Sequence, residues 1–149
     1  MDRRNFISTT AGAAGIAALT AAGVAGAEEN KMNHAAMGKP NPYLGLINSS
    51  LDCIKTASIC LEHCIKTLGT GDTSLKNCAN KVIELEVICS SLARLASYES
   101  QHLKELAKVA VNICIECEKE CKKHKEHQVC LACAKSCAEC LKECKSLGV

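Results

Sequence analysis

The chain alternates between stretches whose apolar positions recur every three or four residues and short polar breaks, and four such stretches can be traced. From Tyr43 to Leu68, Leu46, Cys53, Ala57, Cys60, Cys64 and Leu68 fall near one face, and Gly69-Thr70-Gly71 ends the run. Asp72 or Thr73 is placed to cap a second helix to about Ser97, with Cys78, Val82, Leu85, Cys89, Leu92 and Ala96 on its inner stripe. After a break at Ser97 to Ser100, a third helix is predicted to about Lys123. Its inward positions are Leu103, Leu106, Ala107, Ala110, Cys114, Cys117 and Cys121. The polar turn Lys122 to His127 precedes a fourth, in which Cys130, Cys133, Cys137, Cys140 and Cys144 step by threes and fours. That is a coiled-coil seam with thiols in place of leucine.

No segment alternates with the period of a strand. Four helices of roughly 20 to 25 residues joined by short loops predict an all-α, antiparallel up-down-up-down four-helix bundle with a cysteine-lined core over residues 43–149. This topology gathers Cys60, Cys64, Cys78, Cys117, Cys121, Cys130 and Cys133 at one end. It puts Cys89, Cys114, Cys137 and Cys140 nearer the middle, and Cys53 and Cys144 towards the other end, where Leu92, Ala96, Leu103 and Leu106 form a plug.

The segments ahead of the bundle read differently. Residues 1–27 resemble a twin-arginine export signal: Arg3-Arg4-Asn5-Phe6-Ile7, an uncharged run rich in Ala, Gly and Thr, then Ala25-Gly26-Ala27 as a small-x-small cleavage site. Ser8 stands where a lysine is often found. The uncharged run is too short and weakly apolar for a membrane anchor, which needs roughly 20 solidly apolar residues. The absence of a cysteine after the cleavage site argues against a lipoprotein. Residues 28–42 hold both prolines and no helical period, and read as a flexible lead-in in which Met32, His34 and Met37 are available soft-metal ligands. Localisation is then expected in the periplasm or at internal membrane compartments.

Composition narrows the chemistry. A net charge of +2 with interleaved signs, two tyrosines and one phenylalanine leave little for nucleic acid to bind. Thirteen of 149 residues are cysteine, an odd number that rules out complete internal disulfide pairing. One or two buried cysteines would be ordinary small hydrophobes. Thirteen on the inward stripes of four helices require another explanation. A disulfide-stabilised exported bundle is one, although bridges within a helix constrain little. Metal is the other, since thiolates select Cu(I), zinc or iron–sulfur clusters.

Charge favours Cu(I): each ion replaces one thiol proton and leaves the core neutral, whereas each four-cysteine zinc site buries a net −2. Cu(I) accepts two sulfurs nearly in line, as a Cys-x-x-x-Cys pair one helical turn apart could offer. Cys60/Cys64, Cys117/Cys121, Cys133/Cys137 and Cys140/Cys144 have that spacing, and Cys114/Cys117 is a shorter variant. Cys133-x-x-x-Cys137-x-x-Cys140 also matches the spacing of radical-SAM enzymes, but the chain has no room for their β/α barrel, and iron–sulfur clusters are wrapped by irregular loops more than by straight helices. An iron–sulfur electron carrier and a zinc buffer remain the alternatives. No nucleophile is paired with a catalytic base, and no enzymatic activity is expected.

Taken together, the leader, the four helices and the motifs Cys60-Leu61-Glu62-His63-Cys64, Cys114-Ile115-Glu116-Cys117-Glu118-Lys119-Glu120-Cys121 and Cys130 to Cys144 resemble the exported branch of the bacterial copper storage proteins over essentially the full length. The resemblance implies many Cu(I) ions, up to about one per cysteine, held by bridging thiolates of Cys53, Cys60, Cys64, Cys78, Cys89, Cys114, Cys117, Cys121, Cys130, Cys133, Cys137, Cys140 and Cys144. It further implies a homotetramer and, as recipients of the copper, copper-dependent enzymes or chaperones. A mouth histidine is matched by His63. The family's mouth methionines are not matched, since Thr67, Thr70 and Leu75 occupy the following stretch. A simpler uptake route, or Met32 and Met37 from the lead-in, would have to serve instead. His124 and His127 share that end, where a solvated polar turn accounts for them equally well.

Overall fold

A computed structural model describes residues 39–149. Within it the chain forms α1 (Leu44–Gly69), α2 (Lys76–Ser97), α3 (Leu103–Cys121) and α4 (Gln128–Ser146). The export signal, most of the lead-in and its Met32, His34 and Met37 lie outside the described residues.

Each helix packs on its chain neighbours and α1 closes the ring on α4. Two contacts fix the directions. The Asn41 side-chain amide, just before α1, donates to Ala96 O at 3.0 Å near the end of α2. At the opposite end His63, late in α1, meets His127 at the start of α4. Consecutive helices therefore run antiparallel, as the short connections require.

The helices form because their apolar stripes have nowhere else to go. Leu46, Val82, Leu85, Leu92 and Leu103 are buried together with Ala57, Ala96, Ala107, Ala110 and all thirteen cysteines, while Lys, Asp and Glu line the outside in i,i+3 and i,i+4 pairs such as Lys55–Asp52 at 2.6 Å and Lys108–Glu105 at 2.7 Å. The exposed pairs contribute little individually; burial of the aliphatic stripe supplies most of the stability. Leu68 and Leu106, expected inward, are only partly buried.

Helix ends depart from the expected positions for local reasons. Asp72 does not cap α2: its carboxylate accepts the Ser74 amide at 2.9 Å in a turn, and α2 starts at Lys76 with Leu75 wholly buried beneath it. Gly71, at φ 90°, provides the left-handed residue after α1 that a side chain would strain. Between α2 and α3 the same reversal falls on Glu99 at φ 50°, at a modest conformational cost because it is not glycine. α3 stops at Cys121, two residues short of Lys123.

Candidate metal centre

The inner stripes bring every cysteine to the bundle axis, each with 0% exposure and none in a disulfide. Four thiol triads have all their sulfurs within 4.8 Å of one another: Cys60/Cys78/Cys130, Cys60/Cys121/Cys133, Cys117/Cys133/Cys137 and Cys53/Cys89/Cys140. The first three are linked, because Cys60 belongs to two and Cys133 to two. The fourth shares no cysteine with the others.

These groups span helices. Cys60 and Cys130, on α1 and α4, are 3.6 Å apart; Cys78 and Cys121, on α2 and α3, are also 3.6 Å apart. Helical periodicity gives each helix one column of sulfur, and the ring of four helices turns the columns against one another. Along single helices, Cys117 and Cys121 lie 4.0 Å apart, and Cys133 and Cys137 share a triad. Cys60/Cys64 and Cys140/Cys144 enter no triad as pairs; Cys114 lies outside the four groups as well. The Cys133, Cys137 and Cys140 spacing that suggested a cluster is divided between two triads.

The expected levels along the axis hold for the cysteine-rich end, where Cys60, Cys78, Cys121, Cys130 and Cys133 meet. Cys53 is placed differently: it sits with Cys89 and Cys140 at the middle level, its thiol donating to Ser136 O at 3.1 Å. Two buried hydroxyls escaped the sequence reading, Ser50 and Ser136. Ser50 Oγ lies 3.8 Å from Cys140 Sγ. The period-3.6 positions of Ser50 and Ser136 could have marked them, but serine carries no apolar signal.

The thiols tune one another. Burial, with Cys78 adding to it, pushes Cys64 up to about 12 and Cys130 up to about 11. Cys78 is shifted downward, because the thiols of Cys121 and Cys60 donate to its sulfur. Cys133 is held down in the same way by Cys117 and Cys121, and Cys140 by Cys114 and Cys144. Cys89, Cys121 and Cys137 are raised, chiefly through the bonds to Cys114, Cys117 and Cys117 respectively. The core is thus a network of mutually hydrogen-bonded thiols in which Cys78, Cys133 and Cys140 are shifted down and neighbours such as Cys89, Cys121 and Cys137 up.

At the cysteine-rich end His63 Nε2 and His127 Nδ1 are 2.8 Å apart, with ring centroids separated by 4.7 Å. The His124 ring is 6.4 Å from that of His127, and its Nε2 is buried without a hydrogen-bond partner. The three rings therefore form a cap more closed than a solvated turn. Thr67 does not face them as a ligand; its hydroxyl donates back to His63 O at 3.0 Å.

A ring of antiparallel helices around adjoining triads of free buried thiols defines a soft-metal-binding bundle. The comparisons with known proteins place it more narrowly. A model of the copper storage protein family matches residues 40–148, and the chain belongs to that family. It is 31% identical over 101 residues, 68% of the chain, to the uncharacterized cysteine-rich protein YhjQ of Bacillus subtilis strain 168, spanning 91% of that protein. Two solved structures are similar at 30% identity over 70% of the chain. One is the Cu(I)-bound copper storage protein BsCsp3, with a TM-score of 0.65 and 95% of its chain covered. The other is apo copper storage protein 3 from Bacillus subtilis, with a TM-score of 0.62 and 97% covered.

Proposed function

We propose that the bundle stores and buffers Cu(I), holding many ions, up to about one for each of its thirteen cysteines. The observation that carries this reading is the set of four adjoining thiol triads with no charged side chain buried among them. Replacing each thiol proton by Cu(I) keeps the core neutral, so repeated loading does not accumulate buried charge. The family membership and the similarity to a Cu(I)-bound storage protein support the same reading. The role is non-enzymatic: the buried sulfurs offer a metal many ligands and a substrate no surface.

His63, paired with His127 at the cysteine-rich end, serves as the outermost ligand on the uptake path. The twin-arginine signal delivers the folded protein to the periplasm or to internal membrane compartments, in keeping with a family match that begins only at residue 40. No helix of the described residues is long and apolar enough to cross a membrane. Copper-dependent enzymes or chaperones receive the metal. Outward-facing Ile83 and Val87, one turn apart on α2 and 48% and 65% exposed, provide an apolar surface for assembly into a homotetramer.

Titration of the reduced, metal-free chain with Cu(I) against a chromophoric competitor tests the storage reading. Saturation at about one ion per cysteine is expected. Saturation after two or three ions would favour discrete zinc or cluster sites instead.

A further inference from the structure

The middle triad poses a problem of access. Cys53, Cys89 and Cys140 are buried and share no cysteine with the three linked triads that lead in from the histidine end. An ion passing inward by exchanging thiolates reaches the Cys117/Cys133/Cys137 triad and must then step across from Cys137 to Cys53, whose thiols are within hydrogen-bonding reach, so the fourth triad stands at the end of a long relay.

The seam between α1 and α4 differs from its neighbours at this level. A groove of about 470 Å³ runs along it, bordered by Ser49, Thr56, Ala132 and Ser136 between the charged side chains of Asp52 and Lys55 on α1 and Lys135 and Glu139 on α4. No side chain larger than alanine in its lining is apolar. Two grooves on the α1–α2 side also mix polar and apolar residues but carry large apolar side chains, Leu61 and Ile65 in one and Ile47, Leu51 and Tyr98 in the other. At the floor of the α1–α4 groove, Thr56 Oγ1 and Ser136 Oγ are 2.6 Å apart. Directly beneath, Cys53 Sγ donates to Ser136 O. Beyond the triad, Ser50 Oγ reaches Cys140 Sγ. Hydroxyls thus extend from the surface to Cys53 on α1 and Cys140 on α4, along a path where a bundle core ordinarily excludes polar groups.

We propose that this hydroxyl seam is a side port through which Cu(I) exchanges with the Cys53/Cys89/Cys140 triad. The Thr56–Ser136 bond is its latch. Either hydroxyl can also bond a carbonyl of its own helix, Ser136 to Cys133 O at 2.8 Å and Thr56 to Asp52 O at 3.0 Å. Opening therefore breaks one bridging hydrogen bond and leaves no hydroxyl without a partner. The identity of the ion rests on the storage reading above; the port itself does not, and its test needs no copper.

Brief alkylation of the reduced metal-free protein with substoichiometric iodoacetamide, mapped by peptide mass spectrometry, reads which thiols become accessible. Cys53 and Cys140 are expected to label faster than Cys117 and Cys137, although those belong to the chain leading from the histidine end. Thr56→Val with Ser136→Val, which fills the seam with methyl groups where the hydroxyls stood, should lower Cys53 labelling relative to Cys64. Thr56→Ala, which removes the latch without refilling the seam, should raise the same ratio by about five-fold, the change in local opening matching one hydrogen bond. The thermal midpoint of each variant separates local opening from global loosening, because the latter moves Cys64 equally. Labelling that progresses strictly inward from Cys64 and Cys130, with a Cys53-to-Cys64 ratio unmoved by either variant, would overturn the port. A copper titration that fails while the labelling pattern holds would overturn the storage reading alone.

Discussion

His63 and His127, sixty-four residues apart in the chain, face each other across the cysteine-rich end with their ring nitrogens 2.8 Å apart. One nitrogen donates and the other accepts, so the pair shares a single proton and can close over the column of thiols behind it. An ion that binds through His63 Nε2 must break this bond. His63→Ala is accordingly expected to slow the first phase of Cu(I) uptake while lowering total capacity by no more than about one ion, since each residue offers one ligand atom. Stopped-flow transfer from a chromophoric Cu(I) complex checks this. An unchanged rate would remove His63 from the uptake path.

Cysteines that belong to two triads should count for more than those outside all four. Cys60 and Cys133 are shared vertices, whereas Cys144 belongs to no triad. Cys60→Ala or Cys133→Ala is expected to lower capacity by about two ions, one for each triad the residue belongs to, and Cys144→Ala by no more than about one, the ion its own thiol holds. Equal losses from all three variants, measured in the same titration, would mean that each thiol acts alone.

Much of this arrangement was legible in the chain. The stripe Cys78, Val82, Leu85, Cys89, Leu92 and Ala96 places α2 correctly because thiols and aliphatics share one face, and all six are buried. The cysteine-rich end followed from helix direction alone. What periodicity cannot give is how far one helix slides along another. Helix direction alone therefore puts Cys53 towards the far end, yet it groups with Cys89 and Cys140. The emphasis on pairs one turn apart missed the cross-helix triads for the same reason. Ser50 and Ser136 lie on inward stripes but look polar, and His127 looks like part of a charged turn until His63 is brought to it.

Stability and storage should separate at the aliphatic residues. Leu92 is fully buried and bears no ligand atom. Leu92→Ala should destabilise the apo protein by about 2–5 kcal/mol through lost burial and the cavity left behind, with Cu(I) capacity unchanged. Chemical denaturation followed by circular dichroism, together with the titration, reads both quantities. A parallel loss of capacity would tie the metal sites to the aliphatic packing.

The raised thiols at the cysteine-rich end set an alkaline limit on the apo form. Cys64 and Cys130 ionise in the folded protein at about 12 and about 11, above their ordinary value of 9.0. Their neutral forms are favoured by folding, so that contribution is fully present below about pH 9 and is lost as pH rises through 11 to 12. The thermal midpoint of the apo protein is expected to fall across this window. The Cu(I)-loaded protein, whose thiolates have already given up their protons, should change much less. A midpoint that rises between pH 9 and 12 would contradict the assigned direction.

The central claim is that copper occupies the buried sulfur triads. Anomalous diffraction at the copper absorption edge from crystals of the Cu(I)-loaded protein tests it directly. Strong peaks are expected along the bundle axis within the Cys60/Cys78/Cys130, Cys60/Cys121/Cys133, Cys117/Cys133/Cys137 and Cys53/Cys89/Cys140 groups. Copper confined to His63, His124 and His127 at the surface, with an empty axis, would contradict it.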